Sequence, residues 1–429
     1  MSLIHRIKHF YRSVVSYLRL YRAQVIIIST VLVIGILVAV TVTSQSMQHP
    51  KSALHAIPTT SASPNPTLAP TPSTTPGPII AAPKPVQAAD QGLNFGIAAG
   101  GGLSSIGTTD LNVRFKDMRN LGIRWVRFDV DWSEIQPDSS NAYNWAGYDR
   151  VVAALQANGL SGLGIITYTP AWARSSECTT SNKCSPSNPA VFAKFAGIVA
   201  ARYAPKGIHT WEIWNEPNIT DFWLPSANTA AYTQMLKLSY RNIKLTDAHS
   251  TVLTGGTAST GTGKGSLSPA DFVAGIYANG GYGYFDAVAN HPYSRPFLPS
   301  FDWYWNAWQQ MANTKPNIRS IMVANGDAAK KIWITEYGTP TGGPGGLATN
   351  GLILSERNDD HVTEALQSRT VTTAIAMYRT YSWAGPFFWY SYKDNGTSQD
   401  DAENFYGLIR ANGTHKPAYG AYQSAIAKP

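Results

Sequence analysis

The sequence is poor in charged residues, and its acidic residues are missing from the N-terminal part altogether. Charged residues make up 14% of the 429 residues, against 44% hydrophobic residues, which is a low charge content for a cytosolic enzyme. The first acidic residue is Asp90, and seven of the 34 basic residues precede it, so that 27 basic and 26 acidic residues remain. Seven of the eight net positive charges therefore lie in the N-terminal tail. Without a basic folded surface we expect no nucleic-acid partner.

Cysteine is also scarce, which limits both metal binding and cross-linking. Cys178 and Cys184 are the only two, and they lie in a segment rich in Ser, Thr and Asn at 175–188. A zinc site would need more ligands than this segment offers. A local disulfide between Cys178 and Cys184 fits an oxidising, extracytoplasmic compartment, and two free thiols are the alternative. The sequence implies no metal and no organic cofactor.

One long apolar run lies near the N-terminus. Residues 25–42 are apolar apart from two threonines and one serine, and five Lys or Arg residues precede them. This length nearly spans a bilayer core, and the basic flank is typical of a cytoplasmic side. We predict a transmembrane signal anchor at 25–43 after a basic amphipathic cytoplasmic segment at 1–24. That segment would lie on the inner leaflet, or form a short dimerising coiled coil. A cleaved signal peptide, and hence a secreted protein, is the alternative.

The next segment has the composition of a tether. Residues 44–89 are rich in Pro, Thr, Ser and Ala and contain no acidic residue. Such a composition cannot bury a core and favours extended, polyproline-like conformations. We therefore predict a disordered linker at 44–89 and a folded domain at 90–429.

Within 90–429, short apolar runs alternate with helix-length segments. Eight such units in this length predict an α/β fold, a (β/α)₈ TIM barrel. The runs are apolar throughout, as expected for parallel strands that are covered on both faces. The predicted strands are Leu93–Ile97, Ile123–Asp129, Gly162–Tyr168, His209–Trp214, Thr251–Thr254, Phe285–Asn290, Lys331–Glu336 and Pro386–Tyr390.

Two of these strands end in a glutamate. Glu216 follows the fourth predicted strand and Glu336 ends the seventh. The active site of such a barrel lies at the carboxyl ends of its strands, and a carboxylate at a buried strand end is costly unless it has a chemical role. Two carboxylates about 5–5.5 Å apart are what retaining glycoside hydrolysis requires. Glu212 lies inside the fourth strand and is a weaker catalytic candidate.

The motifs around both glutamates resemble clan A of the glycoside hydrolases. Asn-Glu-Pro at 215–217 is similar to the acid/base motif of the clan, and Thr-Glu-Tyr-Gly at 335–338 to its nucleophile motif. The resemblance covers nearly all of 90–429 and points to family 39 (β-xylosidase-like) and family 5 (cellulase-like), nearest to bacterial family-39-like exopolysaccharide endoglycosidases. Further segments carry it: Ile-Arg-Trp-Val-Arg-Phe-Asp-Val-Asp-Trp at 123–132, Tyr-Thr-Pro-Ala-Trp-Ala at 168–173, Asn-His-Pro-Tyr at 290–293 and Lys-Pro-Ala-Tyr at 416–419.

The resemblance implies roles for five residues near the strand ends. Glu216 would be the general acid/base and Glu336 the nucleophile. Asn215 would hydrogen-bond the sugar 2-hydroxyl, a contact that strengthens in the transition state, although a turn-forming Asn before Pro is the alternative. His291 and Tyr293 would hold the nucleophile or the sugar, and Tyr293 could donate to Glu336.

Other candidate residues are basic or aromatic. Arg127 on the second strand could keep Glu336 ionised, or form a structural ion pair with Asp129 or Asp131. Trp389, at the end of the eighth strand, resembles the aromatic floor under the reacting sugar, with core packing as the alternative. Trp172 could form a sugar platform on a loop. The roles of the aromatic residues after the sixth strand stay open: Phe301, Trp303, Tyr304, Trp305 and Trp308.

The sequence therefore predicts a membrane-anchored retaining glycoside hydrolase that acts on extracellular or cell-surface polysaccharide or oligosaccharide, with its barrel outside the cytoplasm. We expect a monomer. A transglycosylase with the same residues and a catalytically idle glycan-binding barrel are the two alternatives. Sugar identity, linkage and endo or exo action depend on loop residues that no motif fixes.

Overall fold

The computed structural model describes residues 95–343 and 361–428, and these residues form a closed barrel of eight parallel strands. Each strand pairs with the next along the chain, and the eighth pairs with the first. The predicted (β/α)₈ barrel is thereby confirmed. The strands are β1 (Phe95–Ala98), β2 (Trp125–Asp131), β3 (Ser161–Thr167), β4 (Thr210–Asn215), β5 (Thr251–Ala258), β6 (Ala287–His291), β7 (Lys331–Tyr337) and β8 (Ala384–Tyr390).

Helices connect the strands and cover the outside of the barrel. Several begin with a side-chain cap, such as Asn188 before α4 and Asn228 before α5, which satisfies backbone N–H groups of the first turn. The α-helices are α1 (Thr108–Leu121), α2 (Trp132–Ile135), α3 (Ala146–Ala157), α4 (Pro189–Tyr203), α5 (Thr229–Thr246), α6 (Pro269–Ala278), α7 (Ala307–Ala312), α8 (Ile318–Ala324), α9 (Glu364–Tyr378) and α10 (Pro417–Ile426).

The interior of the barrel is filled by large aromatic side chains opposite glycines. Trp333 and Phe388 stack at 6.5 Å between ring centroids. A Cβ on Gly385 would lie 2.2 Å from the Trp333 ring, and one on Gly96 would lie 2.6 Å from the Phe388 ring. The glycines therefore leave the space that these rings occupy. A second apolar layer, between strands and helices, completes the core.

The N-terminal predictions fall outside this description. The segments 1–24, 25–43 and 44–89 lie outside the described residues, so the signal anchor and the linker stay predictions. Within 95–343 and 361–428, no helix combines the length and the apolar character that crossing a bilayer requires.

The parallel order brings all eight strand ends to one face of the barrel. The loops after β2, β4, β6, β7 and β8 start on this face, which we call the catalytic face. The predicted site residues Arg127, Asn215, His291 and Glu336 all lie on these strands, and Glu216 directly follows β4.

Candidate active site

The structure brings the two predicted catalytic glutamates together at the catalytic face. Glu216 follows β4 and Glu336 lies near the end of β7. One carboxylate oxygen of each lies within 4.8 Å of the other, and a ring nitrogen of His291 lies within the same distance of both. The two glutamate side chains are 12% and 13% exposed, which leaves a narrow opening to solvent. Both carboxylates can therefore reach a single bond of a bound substrate.

The backbone at Glu216 adopts an unusual conformation. Its φ angle is 46°, and that of Trp214 is 73°, in the left-handed region that non-glycine residues rarely occupy. The N–H of Glu216 donates to the carbonyl of Gly256 at 3.0 Å, which fixes the turn against β5. Such conformations cost on the order of 1–3 kcal/mol and cluster at functional sites. At this position the left-handed turn directs the Glu216 side chain toward His291.

His291 lies fully buried between the two glutamates. Its Nδ1 is 2.9 Å from Oε1 of Glu216 and 3.7 Å from Oε2 of Glu336. On the other side of the ring, Nε2 is 3.1 Å from Oγ1 of Thr335. A Cβ on Gly256 would lie 2.1 Å from this Nε2, so only glycine leaves room for the ring. His291 thus reaches both carboxylates from a fixed position.

Arg127 connects Glu336 and Asn215 to the buried Glu212. Its Nε and Nη2 donate to both oxygens of Glu212 at 2.8 and 3.0 Å, and its Nη1 donates to Oε1 of Glu336. Nη2 also donates to Oδ1 of Asn215 at 3.0 Å. The fully buried Glu212 therefore has a positioning contact with Arg127, in agreement with its weaker claim to a catalytic role. The carboxylates that accept hydrogen bonds from Arg127 are thus those of Glu212 and Glu336, and not those of Asp129 or Asp131, the partners considered from sequence.

The electrostatic environment favours an ionised Glu336. Burial opposes the charge, but His291, Arg127 and a hydrogen bond from Tyr293 outweigh it, so that the pKa of Glu336 is lowered. The Tyr293 hydroxyl donates to Oε2 of Glu336 at 2.8 Å. Burial and the nearby Glu336 charge raise the pKa of Tyr293 well above its usual value, which keeps this donor protonated. An ionised carboxylate with fixed donors has the properties of a nucleophile.

Glu216, His291 and Glu336 could also be arranged around a metal ion, since their ligand atoms lie within 4.8 Å of one another. The Arg127 guanidinium, however, contacts Glu336 directly and lies 3.4 Å from Nε2 of His291. A divalent cation on these ligands would be repelled by this adjacent charge. The donor set therefore fits a pair of acid and nucleophile better than a metal centre.

The prediction for Trp389 is wrong. Its side chain is fully buried, packs edge-on against Tyr337 at 5.9 Å, and lies 6.4 Å from Tyr422 of α10. A ring with no exposed face cannot support a sugar. The next residue, Tyr390, packs against the residues of the barrel interior and is only partly buried. Its hydroxyl donates to Oε2 of Glu403 at 2.9 Å.

Sequence reasoning missed Tyr390 and Glu403 at this face and considered Asp129 only as a partner of Arg127. Burial together with the charges of Glu403 and Glu336 raises the pKa of Tyr390 well above the usual value. Glu403, in a short 3₁₀-helix after β8, has a raised pKa, because burial and the charges of Glu336 and Glu216 oppose its ionisation. Asp129 follows Arg127 by one pleat on β2, and burial raises its pKa to about 7. The alternation Arg127, Asp129, Asp131 was the available signal for it.

Three further predicted residues lie on the loop after β3. The ring of Trp172 packs edge-on against Trp132 at 5.4 Å, and its Nε1 donates to the carbonyl of Gln136 at 2.8 Å. Its platform role stays a prediction, and part of its ring remains exposed. Cys178 and Cys184, which are six positions apart along the chain, form a disulfide bond, as the sequence predicts.

Comparison with known proteins adds a family to this geometry. Residues 95–381 match the family model described as cellulase, glycosyl hydrolase family 5. The match covers more than half of the chain and includes every strand except β8. Both candidate glutamates lie within it.

Individual relatives agree with this match. A β-xylosidase from Geobacillus stearothermophilus is 25% identical over 223 residues, which cover 48% of this chain and 43% of that protein. A family 39 glycoside hydrolase from Bacteroides cellulosilyticus superposes with a TM-score of 0.58 at 20% identity, covering 78% of this chain and 64% of that one. A GH5_18 enzyme from Streptomyces cattleya, solved with GlcNAc, gives 0.55 at 15% identity, covering 78% and 82%.

The solved structures share the fold of this chain, and at identities of 20% and 15% the comparison shows the fold alone. The chain spans less than half the length of the β-xylosidase and about two thirds of the family 39 enzyme. What this chain shares with the solved structures is therefore the barrel fold.

Proposed function

This chain belongs to the cellulase family, glycosyl hydrolase family 5, and on that premise we propose that it is a retaining glycosidase in which Glu216 is the acid/base and Glu336 the nucleophile. The family and its relatives indicate a glycosidase of the retaining clan A type.

The observation that carries the mechanism is the short approach of the two carboxylates. Their nearest oxygens lie within 4.8 Å. Inverting glycosidases keep their carboxyl groups about 6.5–9.5 Å apart to hold a water molecule, whereas retaining enzymes keep them about 5–5.5 Å apart. The separation therefore favours direct attack by a carboxylate on the anomeric carbon.

In the first step, protonated Glu216 would donate its proton to the glycosidic oxygen while Glu336 attacks the anomeric carbon. The bond between that carbon and the leaving oxygen breaks, and a glycosyl–Glu336 ester forms. Glu336 is ionised for this attack because Arg127 and Tyr293 stabilise its charge. His291, at 2.9 Å from Glu216, fixes the orientation of the acid.

In the second step, ionised Glu216 would take a proton from water, and the water oxygen attacks the same carbon. The ester breaks, Glu336 leaves as a carboxylate, and the sugar keeps its anomeric configuration. If another sugar hydroxyl replaced the water, the same residues would catalyse transglycosylation. Arg127 pairs with both Glu212 and Glu336, so its positive charge stays beside the nucleophile through both steps.

Sugar recognition would use Asn215 and Tyr390. Oδ1 of Asn215 accepts from Arg127, so the Nδ2 group is the one that would contact a sugar hydroxyl. Tyr390 offers a partly exposed aromatic ring beside the nucleophile, and such rings match the apolar face of a pyranose. The relatives carry names that refer to β-xylosides and cellulose, which supports a β-linked glycan as substrate.

We further propose that the domain acts outside the cytoplasm, held to the membrane by residues 25–43. The disulfide supports an oxidising compartment, and the apolar segment with its basic flank supports an uncleaved anchor. The substrate would then be an extracellular or cell-surface polysaccharide.

A pair of substitutions tests the two roles separately. Glu336→Gln should lower turnover by several orders of magnitude on every substrate. Glu216→Gln should do so on polymers, but should spare the first step for a dinitrophenyl glycoside, whose leaving group needs no proton. Added azide should then restore turnover of Glu216→Gln and yield a glycosyl azide. Glu177→Gln, at an exposed loop residue, is the matched control.

The stereochemistry provides the deciding measurement. Proton NMR of the first sugar released should show the anomeric configuration of the substrate. Inversion, or ordinary activity in folded Glu216→Gln or Glu336→Gln, would contradict the proposal.

A further inference from the structure

An exposed group of aromatic residues lies on the loop after β6, outside the site described above. We call Phe297, Phe301, Trp303, Tyr304 and Trp305 the aromatic strip. Trp303, Tyr304 and Trp305 are 48%, 74% and 41% exposed, and Phe301 is 38% exposed. Soluble proteins rarely expose contiguous apolar patches without a binding role. Four large rings within five consecutive positions therefore need a partner.

The rings form an ordered surface. Phe297 and Phe301 stack at 4.7 Å with planes 17° apart, and Phe301 and Trp303 lie at 6.4 Å with planes 18° apart. Trp305 packs on Phe297 at 5.2 Å, at an angle of 62°. The stacking covers the facing sides of Phe297 and Phe301, so Trp303, Tyr304 and Trp305, which have the greatest exposed fractions, are the rings available to a sugar.

The strip is held rigidly. The fully buried Asn306 donates through Nδ2 to the carbonyl of Phe301 at 2.7 Å and to that of Pro299 at 3.2 Å. Its Oδ1 accepts from the N–H of Trp308 and caps α7. A rigid surface loses little conformational entropy when it binds, which favours a preformed binding site.

The strip is continuous with the active site. It begins four residues after Tyr293, which donates to Glu336. Ser294 donates to the carbonyl of Phe297 at 3.0 Å, and its hydroxyl also lies 3.0 Å from that of Tyr337, the residue after Glu336. The strip is therefore attached directly to residues that contact Glu336 and Tyr337, on the loop after β6 at the catalytic face.

From this continuity we propose that the aromatic strip binds further sugar units of a neutral, β-linked polysaccharide whose reacting unit lies at Glu216 and Glu336. The inference rests on the proposed function. The segment 296–306 contains a single charged residue, Asp302, and no Lys or Arg. An uncharged partner fits this composition, whereas an anionic membrane surface would attract basic residues.

The test uses the full-length protein in neutral detergent, with Trp303→Ala, Trp305→Ala and the double variant. Native electrophoresis through gels containing hydroxyethyl cellulose, xylan or glucomannan measures retardation by each polymer, in the background of Glu336→Gln to prevent cleavage. Tyr282→Ala is the matched control, because this residue is 58% exposed but precedes β6 on the opposite face. Trp303→Tyr keeps a ring and should retain most of the retardation.

The expected result is retardation by at least one polymer that weakens roughly thirtyfold in the double variant and not in Tyr282→Ala, since each of the two stacked rings contributes on the order of 1 kcal/mol. In the active protein, the ratio of kcat/KM on that polymer to kcat/KM on an aryl glycoside should fall to the same extent. Binding that persists while hydrolysis does not depend on Glu216 and Glu336 would refute the proposed function alone.

Three outcomes would overturn the strip proposal while the proposed function stands. One is equal retardation of the double variant and the parent protein, and another is the absence of retardation by every polymer. The third is sedimentation with neutral or anionic lipid vesicles, or dimerisation, that requires Trp303 and Trp305, because this would assign the strip to a lipid surface or a second copy.

Discussion

Glu336 holds a charge in a largely buried position, and each neighbour that stabilises this charge can be identified. Arg127 and Tyr293 each donate to one oxygen of the carboxylate, and His291 approaches the second oxygen to 3.7 Å. Together they lower the pKa of Glu336 against the opposing effect of burial. The ionised form is the one that attacks, so activity should be lost as the pH falls through this lowered pKa.

The substitution Tyr293→Phe tests this argument. Without the hydroxyl the pKa of Glu336 should rise, and the acidic limb of the pH profile of kcat/KM should move to higher pH. A hydrogen bond to a charged group contributes about 1.5–3 kcal/mol, so a roughly ten- to hundredfold loss is expected at acidic pH. Tyr392→Phe is the control, because it removes a tyrosine–carboxylate bond of the same length, to Asp117 of α1. An unshifted acidic limb in Tyr293→Phe would contradict the role.

Asp129 shows the opposite behaviour. Burial raises its pKa to about 7, and Asp131, Glu336 and Glu212 add to the shift although Arg127 opposes it. Between the ordinary aspartate pKa and about 7, the folded protein therefore binds more protons than the unfolded one, and this residue lowers stability as the pH rises. A destabilising carboxylate at the mouth of a site is typical of a residue that is kept for function.

Asp129→Asn is therefore expected to stabilise the protein above pH 7 and to leave its stability unchanged near pH 3.5. The melting temperature at pH 8 should rise by about 2–4 °C while kcat/KM falls. Thermal unfolding at both pH values, beside Asp110→Asn on the exposed face of α1, makes the measurement. If Asp129→Asn stabilised the protein more at pH 3.5 than at pH 8, the predicted direction of the pH dependence would be wrong.

The error at Trp389 shows what the sequence leaves undetermined at the scale of a residue. An aromatic residue at the end of β8 was predicted, and Tyr390 is one position further on. Successive side chains of a strand point to opposite faces, so an error of one residue selects a side chain that faces the core instead of one that faces the site. Because β8 is apolar on both faces, no polar alternation in Ala384–Tyr390 marks which residue points inward.

At the scale of elements, β5 illustrates how a strand makes room for a site on its neighbour. Gly256 has no Cβ where the ring of His291 lies, and its backbone N–H donates to Oε1 of Glu212 at 2.8 Å. The strand predicted from the sequence ends at Thr254. The strand instead continues to Ala258, since close approach of a side chain favours glycine within a strand.

Gly256→Ala should consequently displace His291 from Glu216 and lower kcat by about two orders of magnitude, because a displacement on the order of 1 Å has this effect on a catalytic geometry. Far-ultraviolet circular dichroism should remain that of the parent. Gly261→Ala is the control, as nothing lies within 4 Å of its Cβ position. Full activity in Gly256→Ala would mean that the position of His291 is unimportant.

A second element-scale feature fixes the loops after β7 and β8. The buried Lys416 donates to Oδ1 of Asp394 at 2.8 Å, to Oγ1 of Thr341 at 3.0 Å and to the carbonyl of Phe405 at 2.9 Å. The sequence singled out Lys416 only through a family resemblance, since its partners are distant along the chain. These bonds hold the segment that carries Glu403 next to Tyr390.

Lys416→Met should destabilise the protein by about 3–5 kcal/mol, because it leaves the carboxylate of Asp394 buried without its partner. Urea unfolding followed by tryptophan fluorescence measures the change, with Lys194→Met on the exposed face of α4 as the control. Adding Asp394→Asn should recover part of the loss. A loss no larger than that of Lys194→Met would exclude a structural role for the buried pair.

At the scale of the molecule, topology was the most predictable property. Alternating strand and helix patterns determine the order of a (β/α)₈ barrel, and the order alone brings β4 and β7 to the same face. The network that joins Arg127 to Glu212 was not predictable, because it depends on side chains 85 positions apart that meet only inside the closed barrel. The same holds for Glu403, which reaches the site on a loop.

The whole chain also raises the question of how the barrel is held in place. Net charge concentrated before Asp90, an apolar run with a basic flank, a Pro-rich tether and a disulfide all favour an anchored domain outside the cytoplasm.

We therefore expect the full-length protein to sediment with membranes and to resist extraction by high salt. Protease added to intact cells, after any outer barrier is removed, should cut within 44–89 and release an active fragment. A segment of this composition cannot bury a core and is therefore expected to be accessible to the protease. A cytoplasmic enzyme, unaffected by the same protease, is the control for cell integrity. Mature protein that begins near residue 45 in the culture medium would instead identify the apolar segment as a cleaved signal peptide.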